Sequence, residues 1–326
     1  MLCAVTLAAA HSTRGAERPE TPRQDTQPAP TSRLGDDQAE VFGGGIDAVY
    51  TTDSDGFRST RLRGGALVHY QSAYDFTALG GGATYYKQDD WSKERYSLAG
   101  AIRKIERATG AGYSAIAGVA SVGDHQLLFG EGAWNVRLSP STGVELVGQR
   151  DFVETRAALD DGTVANFLTA ALDHAVTDRL TLIGLAGGQW FSDDNHRTHL
   201  RGRAIYALLP EQGLSVQVRA QGYESSRPGG GLYFNPDRYE RADVGLRLRR
   251  SIADWRVLAA AGGGQEWIDH TVRNPTTYAD LRVQRSFSNN VTLALSFAYY
   301  RASEADSAGT GDYRWSYFRA LFLIPF

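Results

Sequence analysis

Across residues 40–326, apolar and polar residues alternate with period two for about a dozen residues at a time, and few folds accommodate that pattern. Leu214-Ser215-Val216-Gln217-Val218-Arg219-Ala220-Gln221 is the plainest stretch, with even positions apolar or small and odd positions polar. Val291-Thr292-Leu293-Ala294-Leu295-Ser296-Phe297-Ala298-Tyr299 repeats it. Successive side chains of a strand point to opposite faces, so each segment predicts a strand with one apolar and one polar face. Strands of this length exceed the roughly five or six residues usual in soluble domains. They match strands that cross a bilayer.

A longer period overlies the first. Short polar turns recur at Ser139-Pro140-Ser141-Thr142, Val176-Thr177-Asp178, Pro210-Glu211-Gln212-Gly213, Ser251-Ile252-Ala253-Asp254 and Ser288-Asn289-Asn290, each ahead of an alternating segment. Their spacing of roughly 35 residues is that of one membrane-barrel hairpin. More variable connections lie between them, at 160–163, 193–195, 225–237 and 303–312. Strands are expected to start near Val41, Arg58, Tyr74, Arg95, Gly112, His125, Gly143, Val164, Arg179, Arg197, Gly213, Tyr239, Trp255, Val272, Asn290 and Tyr313. That makes about sixteen, and an even number lets both ends of a closed barrel emerge on one side. Closure also pairs every backbone donor, as hydrocarbon requires. The expected fold is all-β: a closed antiparallel transmembrane β-barrel over 40–326, with periplasmic tight turns and extracellular variable loops.

Composition narrows the reading further. No apolar run reaches the roughly 18 residues of a membrane helix. The one cysteine, Cys3, leaves the barrel no disulfide framework and no thiolate metal site. A net charge of −3 gives no case for nucleic acid. Residues 1–16 hold a short apolar stretch followed by small residues and read as a signal peptide, although its basic start is missing. Residues 17–39, rich in Pro, Thr, Gln and charge, read as a disordered periplasmic leader.

If the apolar parity touches lipid, the other parity faces the lumen. That turns Arg61, Arg63, Arg103, Arg137, Arg201, Arg203, Arg219, Arg241, Arg247, Arg249, Arg256, Arg282 and Arg319 inward. The inward acids are Asp47, Asp75, Glu131, Glu145, Asp173, Asp243 and Asp280. A barrel of this size is wide enough for a water-filled channel unless something plugs it. The planar donors of Arg suit carboxylates and sugar hydroxyls, so a basic stripe would guide a polyanion. Ladders of Arg with Asp or Glu that brace neighbouring strands are the simpler reading of any single Arg. Bracing alone needs no surplus of Arg over acid. Arg201, Arg203, Arg219, Arg241, Arg247 and Arg249 are the candidate substrate-facing set.

Acid pairs such as Asp89-Asp90, Asp160-Asp161 and Asp193-Asp194 fall in the loops expected outside the cell. They lack the ligand order of a calcium loop and suit solvated tips or, through divalent cations, lipopolysaccharide phosphates. The glycine triplets at 43–45, 80–82 and 262–264 open no helix and precede no Lys-Ser/Thr, so they are not phosphate loops. Glycine in a barrel strand permits curvature and close backbone approach. Tyr50, Tyr70, Tyr85, Tyr86, Trp134, Trp190, Tyr299 and Tyr300 near strand ends suit interfacial girdles. The histidines are scattered, no Gly-x-Ser-x-Gly elbow exists, and no catalytic residue, metal or cofactor is expected.

The chain ends Arg319-Ala320-Leu321-Phe322-Leu323-Ile324-Pro325-Phe326. A terminal Phe preceded by apolar residues at every second position resembles the closing strand of bacterial outer-membrane barrels, which the barrel-assembly machinery reads. Phe326, Ile324 and Phe322 are the expected assembly signal. The Gly and polar residue usual just upstream are replaced here by Leu321 and Ala320.

The segment Gly229-Gly230-Gly231-Leu232-Tyr233-Phe234-Asn235-Pro236-Asp237-Arg238-Tyr239 carries a second resemblance. An aromatic-Asn-Pro-x-x-Tyr element entering a late strand is similar to the barrel domains of exporters of cellulose and poly-N-acetylglucosamine. The resemblance spans 40–326 and implies passage of a linear exopolysaccharide, with Tyr233, Phe234 and Tyr239 stacking on sugar faces at the exit. Such exporters carry periplasmic helical repeats ahead of the barrel. Here a separate helical-repeat protein would supply them beside a polysaccharide synthase. A general or anion-preferring diffusion porin is the second reading, and a plugged barrel used for adhesion or structure the third.

Overall fold

The computed structural model describes residues 41–106, 108–270, 272–287, 291–302 and 312–326. The expected signal peptide and leader, the turn at 288–290 and most of the 303–312 connection lie outside the described residues. The strands are β1 (Val41–Asp53), β2 (Arg58–Ser72), β3 (Asp75–Gln88), β4 (Trp91–Ile105), β5 (Gly112–Val122), β6 (His125–Ser139), β7 (Thr142–Phe152) and β8 (Val164–Ala175). They continue as β9 (Leu180–Phe191), β10 (His196–Leu209), β11 (Leu214–Ser225), β12 (Arg238–Ile252), β13 (Trp255–Ile268), β14 (Val272–Ser286), β15 (Thr292–Ala302) and β16 (Tyr313–Pro325). A short helix, α1 (Arg156–Asp161), sits between β7 and β8.

Each strand pairs antiparallel with its chain neighbours, and β16 returns to β1 to close the barrel. The seam runs from Gly43 opposite Pro325 to Asp53 opposite Trp315. At its end the Phe326 amide donates to the Phe42 carbonyl at 2.8 Å. The largest departure from the expected starts is β4, which opens at Trp91 rather than near Arg95. Both chain ends of the barrel emerge with the tight turns, and the longer loops lie at the opposite mouth.

The alternation sorts side chains as hydrocarbon demands. Ile46, Leu62, Leu98, Leu128, Leu200 and Val244 stand exposed on the outer face. Phe318, Phe322 and Ile324 of the closing strand join them there, and Phe326 follows the strand, also exposed. The strand registers place all thirteen expected arginines on the inner face. Asp75 is a correction. The register shifts between Leu67 and His69 and between Tyr70 and Ser72 fall in β2, and β3 alternates without interruption: Phe76, Ala78, Thr84 and Tyr86 are buried inward, and Leu79 and Tyr85 are exposed outward. Asp75 thereby falls on the other parity at the rim, 3.2 Å from the His69 Nε2.

Tyr50, Tyr85, Trp134 and Trp190 are exposed on the outer face, as girdle residues must be. Tyr70, Tyr86 and Tyr300 are not girdle residues. They are fully buried and lie on the lumen parity. On the β16–β1–β2–β3 side, Leu67, Tyr70, Phe76, Ala78, Leu321 and Leu323 form one buried apolar cluster inside the barrel. Glycine has a specific use on the opposite wall. Tyr278 lies over Gly245 and Gly262, and a Cβ at Gly262 would come within 2.8 Å of its ring.

Candidate functional site

The outer mouth is where the long loops converge. Residues 153–163, between β7 and β8, fold inward around α1. The Thr155 hydroxyl caps the helix by accepting from the Ala158 amide at 3.2 Å, and Gly162 ends it in the left-handed region at φ 79°. Leu159 and Ala158 are fully buried. The loop is tied to β3 and β4, about a quarter of the way around the barrel. The Tyr86 hydroxyl donates to Glu154 at 3.1 Å, and Lys93 Nζ reaches Asp160 at 2.7 Å and the Leu159 carbonyl at 3.0 Å. Burial pushes the Asp160 carboxyl up, but hydrogen bonds from Lys93 and Trp91 outweigh it and hold the group below the usual carboxylate range. Below the loop, buried Arg95 meets Asp151 at 2.8 Å, with its guanidinium 5.1 Å from the Phe129 ring centre.

Residues 226–237, between β11 and β12, form the second inward loop. Gly229, Gly230 and Gly231 all have positive φ, at 86°, 92° and 74°, which lets the chain double back. Tyr233 then stacks on Phe191 at 4.4 Å between ring centres with 13° between planes. The Arg197 guanidinium lies 4.9 Å from Phe191, 4.7 Å from Tyr223 and 5.1 Å from Tyr233. It donates to the Phe234 carbonyl and, at 3.2 Å, to the Asn235 side chain. Asn195 donates to the Tyr233 hydroxyl at 3.0 Å and to Asn235 at 2.9 Å. The Tyr233 hydroxyl itself donates to Asp193 at 2.8 Å. Burial first, and then the Asp193 carboxylate, push the phenol well above its ordinary value, so it stays protonated as a donor. The two loops meet where the Thr155 hydroxyl donates to the Leu232 carbonyl. Together they form a lid over the β3–β10 side of the mouth.

The expected aromatic trio is therefore split by its surroundings. Tyr233 anchors the lid, while Tyr239 is fully buried, stacked on Tyr223 at 5.3 Å and donating to Glu266 at 3.0 Å. Phe234 is half-buried, edge-on to Tyr239. Phe191, Asp193, Asn195 and Arg197 hold this loop; sequence reasoning picks out Asp193 only as half of an acid pair and the other three not at all. The one signal for Arg197 is its inward parity on β10, where it lies two places before the buried His199.

Lower in the barrel the arginines divide into two sets. Arg219 and Arg241 share Asp243, at 3.4 and 2.9 Å, and the Thr276 hydroxyl donates to the same carboxylate at 2.9 Å. Arg219 also lies 3.5 Å from the centre of Tyr278. At the seam, Arg319 Nε donates to Asp47 at 2.7 Å. These arginines brace the wall. Arg201, Arg203, Arg247 and Arg249 are half-buried on the same face, and Arg203 donates to Gln217 at 3.0 Å. Arg256, exposed at the periplasmic end, reaches the Tyr74 hydroxyl at 3.3 Å from the other side of the mouth. The row from Arg247 through Ala260 ends on Asp280. The row from Arg249 through Leu258 to Arg282 carries no carboxylate on these strands, nor does the row from Ser251 through Arg256 to Gln284.

No protein-family model matches the sequence, and no curated protein matches it by sequence. Among solved structures, the barrel is similar to one described as a bacterial polysaccharide outer membrane secretin. The match has 13% identity and a TM-score of 0.66, and covers 88% of this chain and 98% of that one. It also matches Pseudomonas aeruginosa OprD at 12% identity and a TM-score of 0.43, over 88% of this chain and 95% of that one. Pseudomonas aeruginosa OpdQ matches at 11% identity and a TM-score of 0.44, over 88% and 99%. At 13% identity the likeness to the secretin is one of fold. A closed sixteen-strand barrel with an apolar outer belt is a protein of the bacterial outer membrane.

Proposed function

We propose that this barrel is an outer-membrane conduit through which a linear exopolysaccharide leaves the periplasm. One observation carries the reading: arginines outnumber acids on one lumen wall toward the periplasmic mouth, while an anchored two-loop lid covers part of the exit. A passive structural barrel needs neither. Polar, hydrogen-bonding walls that hold a sugar chain weakly at many places allow it both to bind and to move on. The fold-level likeness to a polysaccharide secretin supports this direction of transport without naming the polymer.

Within this reading Tyr233, Phe234 and Tyr239 shape the exit, and their rings become available to sugars when the lid lifts. Phe326, Ile324 and Phe322 serve insertion by the barrel-assembly machinery. A separate periplasmic helical-repeat protein would deliver polymer from a synthase, and the outer surface would meet lipid and lipopolysaccharide. A diffusion porin preferring small anions is the second reading, favoured by the half-buried Arg201, Arg203, Arg247 and Arg249.

Deleting the encoding gene in its own bacterium and profiling every secreted polysaccharide separates the two. The conduit reading predicts that one polymer disappears from the medium and accumulates in the periplasm. Unchanged secretion of all of them sinks it.

A further inference from the structure

We infer that the outer surface carries a binding site for the phosphate groups of an acylated outer-leaflet glycolipid, lipopolysaccharide, laid across the seam where β16 meets β1. The site consists of Arg301 on β15, Arg314 on β16, Arg58 on β2 and Lys87 on β3. It belongs to the lipid-facing side of the barrel, so it stands independently of what passes through the lumen.

The ladder brings these bases together. Their strand neighbours Tyr300, Trp315, Ser59 and Tyr86 are buried on the lumen side, so all four bases point outward, and all four are exposed. Arg301 lies directly opposite Arg314, and Arg58 directly opposite Lys87. Between the two pairs runs β1, whose Thr52 lies opposite both Ser316 and Arg58. Arg314 and Arg58 are thus about 12 Å apart at the backbone, two inter-strand gaps across and one pleat along. Both side chains are long enough to close most of that gap on one headgroup.

The register sets like charges against each other here. Bases directly opposite one another on a sheet face repel. On β11 and β12 the same rim is matched instead: Arg238 lies opposite Glu224 at 3.2 Å and meets Glu240 at 2.6 Å. Among the described residues, the outward face of β15, β16, β1, β2 and β3 carries no acid in its outer half. The acids around it are otherwise engaged. Asp312, just before β16, meets Arg301, and Glu94 on β4 accepts from the Tyr96 hydroxyl. Asp53 caps its own turn, accepting from the Asp55 and Phe57 amides at 3.0 Å each. Arg58, Lys87 and Arg314 form no ion pair with a described residue. An anion that settles both pairs at once has to come from outside the chain.

The surface below the bases fixes the kind of anion. Tyr85 and Tyr50 are exposed on the same face one pleat below Lys87 and Thr52, and Phe297 and Phe318 two pleats below Arg301 and Arg314. Rings at that depth meet acyl chains and the bases stand at headgroup level. A free phosphate uses only the upper half of such a surface, whereas an acylated, phosphorylated headgroup uses both. Each guanidinium offers phosphate two parallel hydrogen bonds, and Lys87 adds a point charge. Because Arg314 is on β16 and Arg58 on β2, one bound headgroup spans the seam and holds three strands together.

The test is a titration. The full chain, in phosphatidylcholine nanodiscs with EDTA present, receives fluorescent deep-rough lipopolysaccharide or the same lipid after enzymatic dephosphorylation. The phosphorylated lipid should bind, and Arg58→Gln with Arg314→Gln should weaken it about thirtyfold, equivalent to about 2 kcal/mol. Dephosphorylation should weaken binding to the parent to a similar degree. Arg238→Gln, at the matched rim pair, should change affinity less than about twofold. Bound lipid should also raise the temperature at which the barrel loses its resistance to detergent, more in the parent than in the double variant. Heat-dependent gel mobility verifies that the double variant folds, and Arg58→Gln alone, weakening binding in the same direction, serves if it does not. Equal affinity of parent and variant, or of the lipid with and without phosphate, overturns the site. Binding that appears only when calcium replaces EDTA overturns it too, and assigns the lipid to the acidic turn at Asp89 and Asp90. Displacement by inorganic phosphate as readily as by unlabelled lipid overturns the lipid assignment.

Discussion

Replacing Arg197 and Tyr233 together with alanine should raise single-channel conductance several-fold and sensitise cells to bulky antibiotics that the outer membrane normally excludes. Arg197 is nearly inaccessible, surrounded by three aromatic rings and bonded to two acceptors of the 226–237 loop. A desolvated guanidinium over an aromatic face contributes about 2 kcal/mol or more, and removing the Tyr233 ring also empties the stack on Phe191. The loop then has Asn195 and the Thr155–Leu232 contact to hold it, and exposed Gly229, Gly230 and Gly231 provide a ready hinge. The barrel should survive because its ladder does not depend on the loop. Tyr50→Ala on the outer face is the control and should leave conductance unchanged. If the double variant conducts like the parent while its loop becomes protease-sensitive, the two loops are not what limits passage.

Asp47→Ala is expected to cost about 3 to 5 kcal/mol of barrel stability, read from urea unfolding in liposomes by tryptophan fluorescence. Asp47 is completely buried in the lumen at the seam, and Arg319 across from it is nearly so. Removing the carboxylate leaves the guanidinium near Arg61 and Arg63 of β2, in a wall where water screens poorly and the remaining charges repel. The loss falls where closure occurs, so slow refolding should accompany it. Pairing Asp47→Ala with Arg319→Met should recover part of the stability, since the Arg319 charge is then gone while Arg61 and Arg63 still lack the carboxylate. By contrast, Arg227→Ala breaks an ion pair with Asp194 that is largely exposed, and should cost under about 1 kcal/mol. Equal effects at the two sites would show that the lumen is hydrated enough to screen the seam pair.

The barrel was legible because a membrane strand has only two environments, and period two sorts residues between them. Arg201, Arg203, Arg247 and Arg249 could be turned inward from that rule alone. The rule failed at Asp75 because the lumen face of β3 carries the apolar Phe76 and Ala78, so polarity does not mark the inner side there. It also failed for Tyr70, Tyr86 and Tyr300. Reading aromatics near strand ends as girdle residues assumes that they face outward, but this lumen is itself partly apolar and aromatic. Tyr86 faces inward because Glu154 and Arg95 await it there, one from a segment far along the chain.

The candidate site was legible only in part. The 229–239 segment stands out by composition, and its role near the exit follows from its place between two late strands. What Tyr233 touches does not. Phe191, Asp193 and Asn195 lie about forty residues upstream and meet it only because β9 through β12 are adjacent in the closed sheet. Likewise, nothing local distinguishes a bracing arginine such as Arg219 from a lining one such as Arg247. The difference lies in whether the next strand presents a carboxylate at the same level, as Asp243 does for Arg219.

Passage of a sugar chain through the lumen is tested most directly by photocrosslinking in secreting cells. A photoreactive residue at Ser215 faces the lumen opposite Arg247, whereas one at Leu246 faces lipid. The account predicts carbohydrate captured from Ser215 during secretion, none from Leu246, and loss of capture when polymer synthesis stops. Carbohydrate captured at neither position, or equally at both, would contradict it.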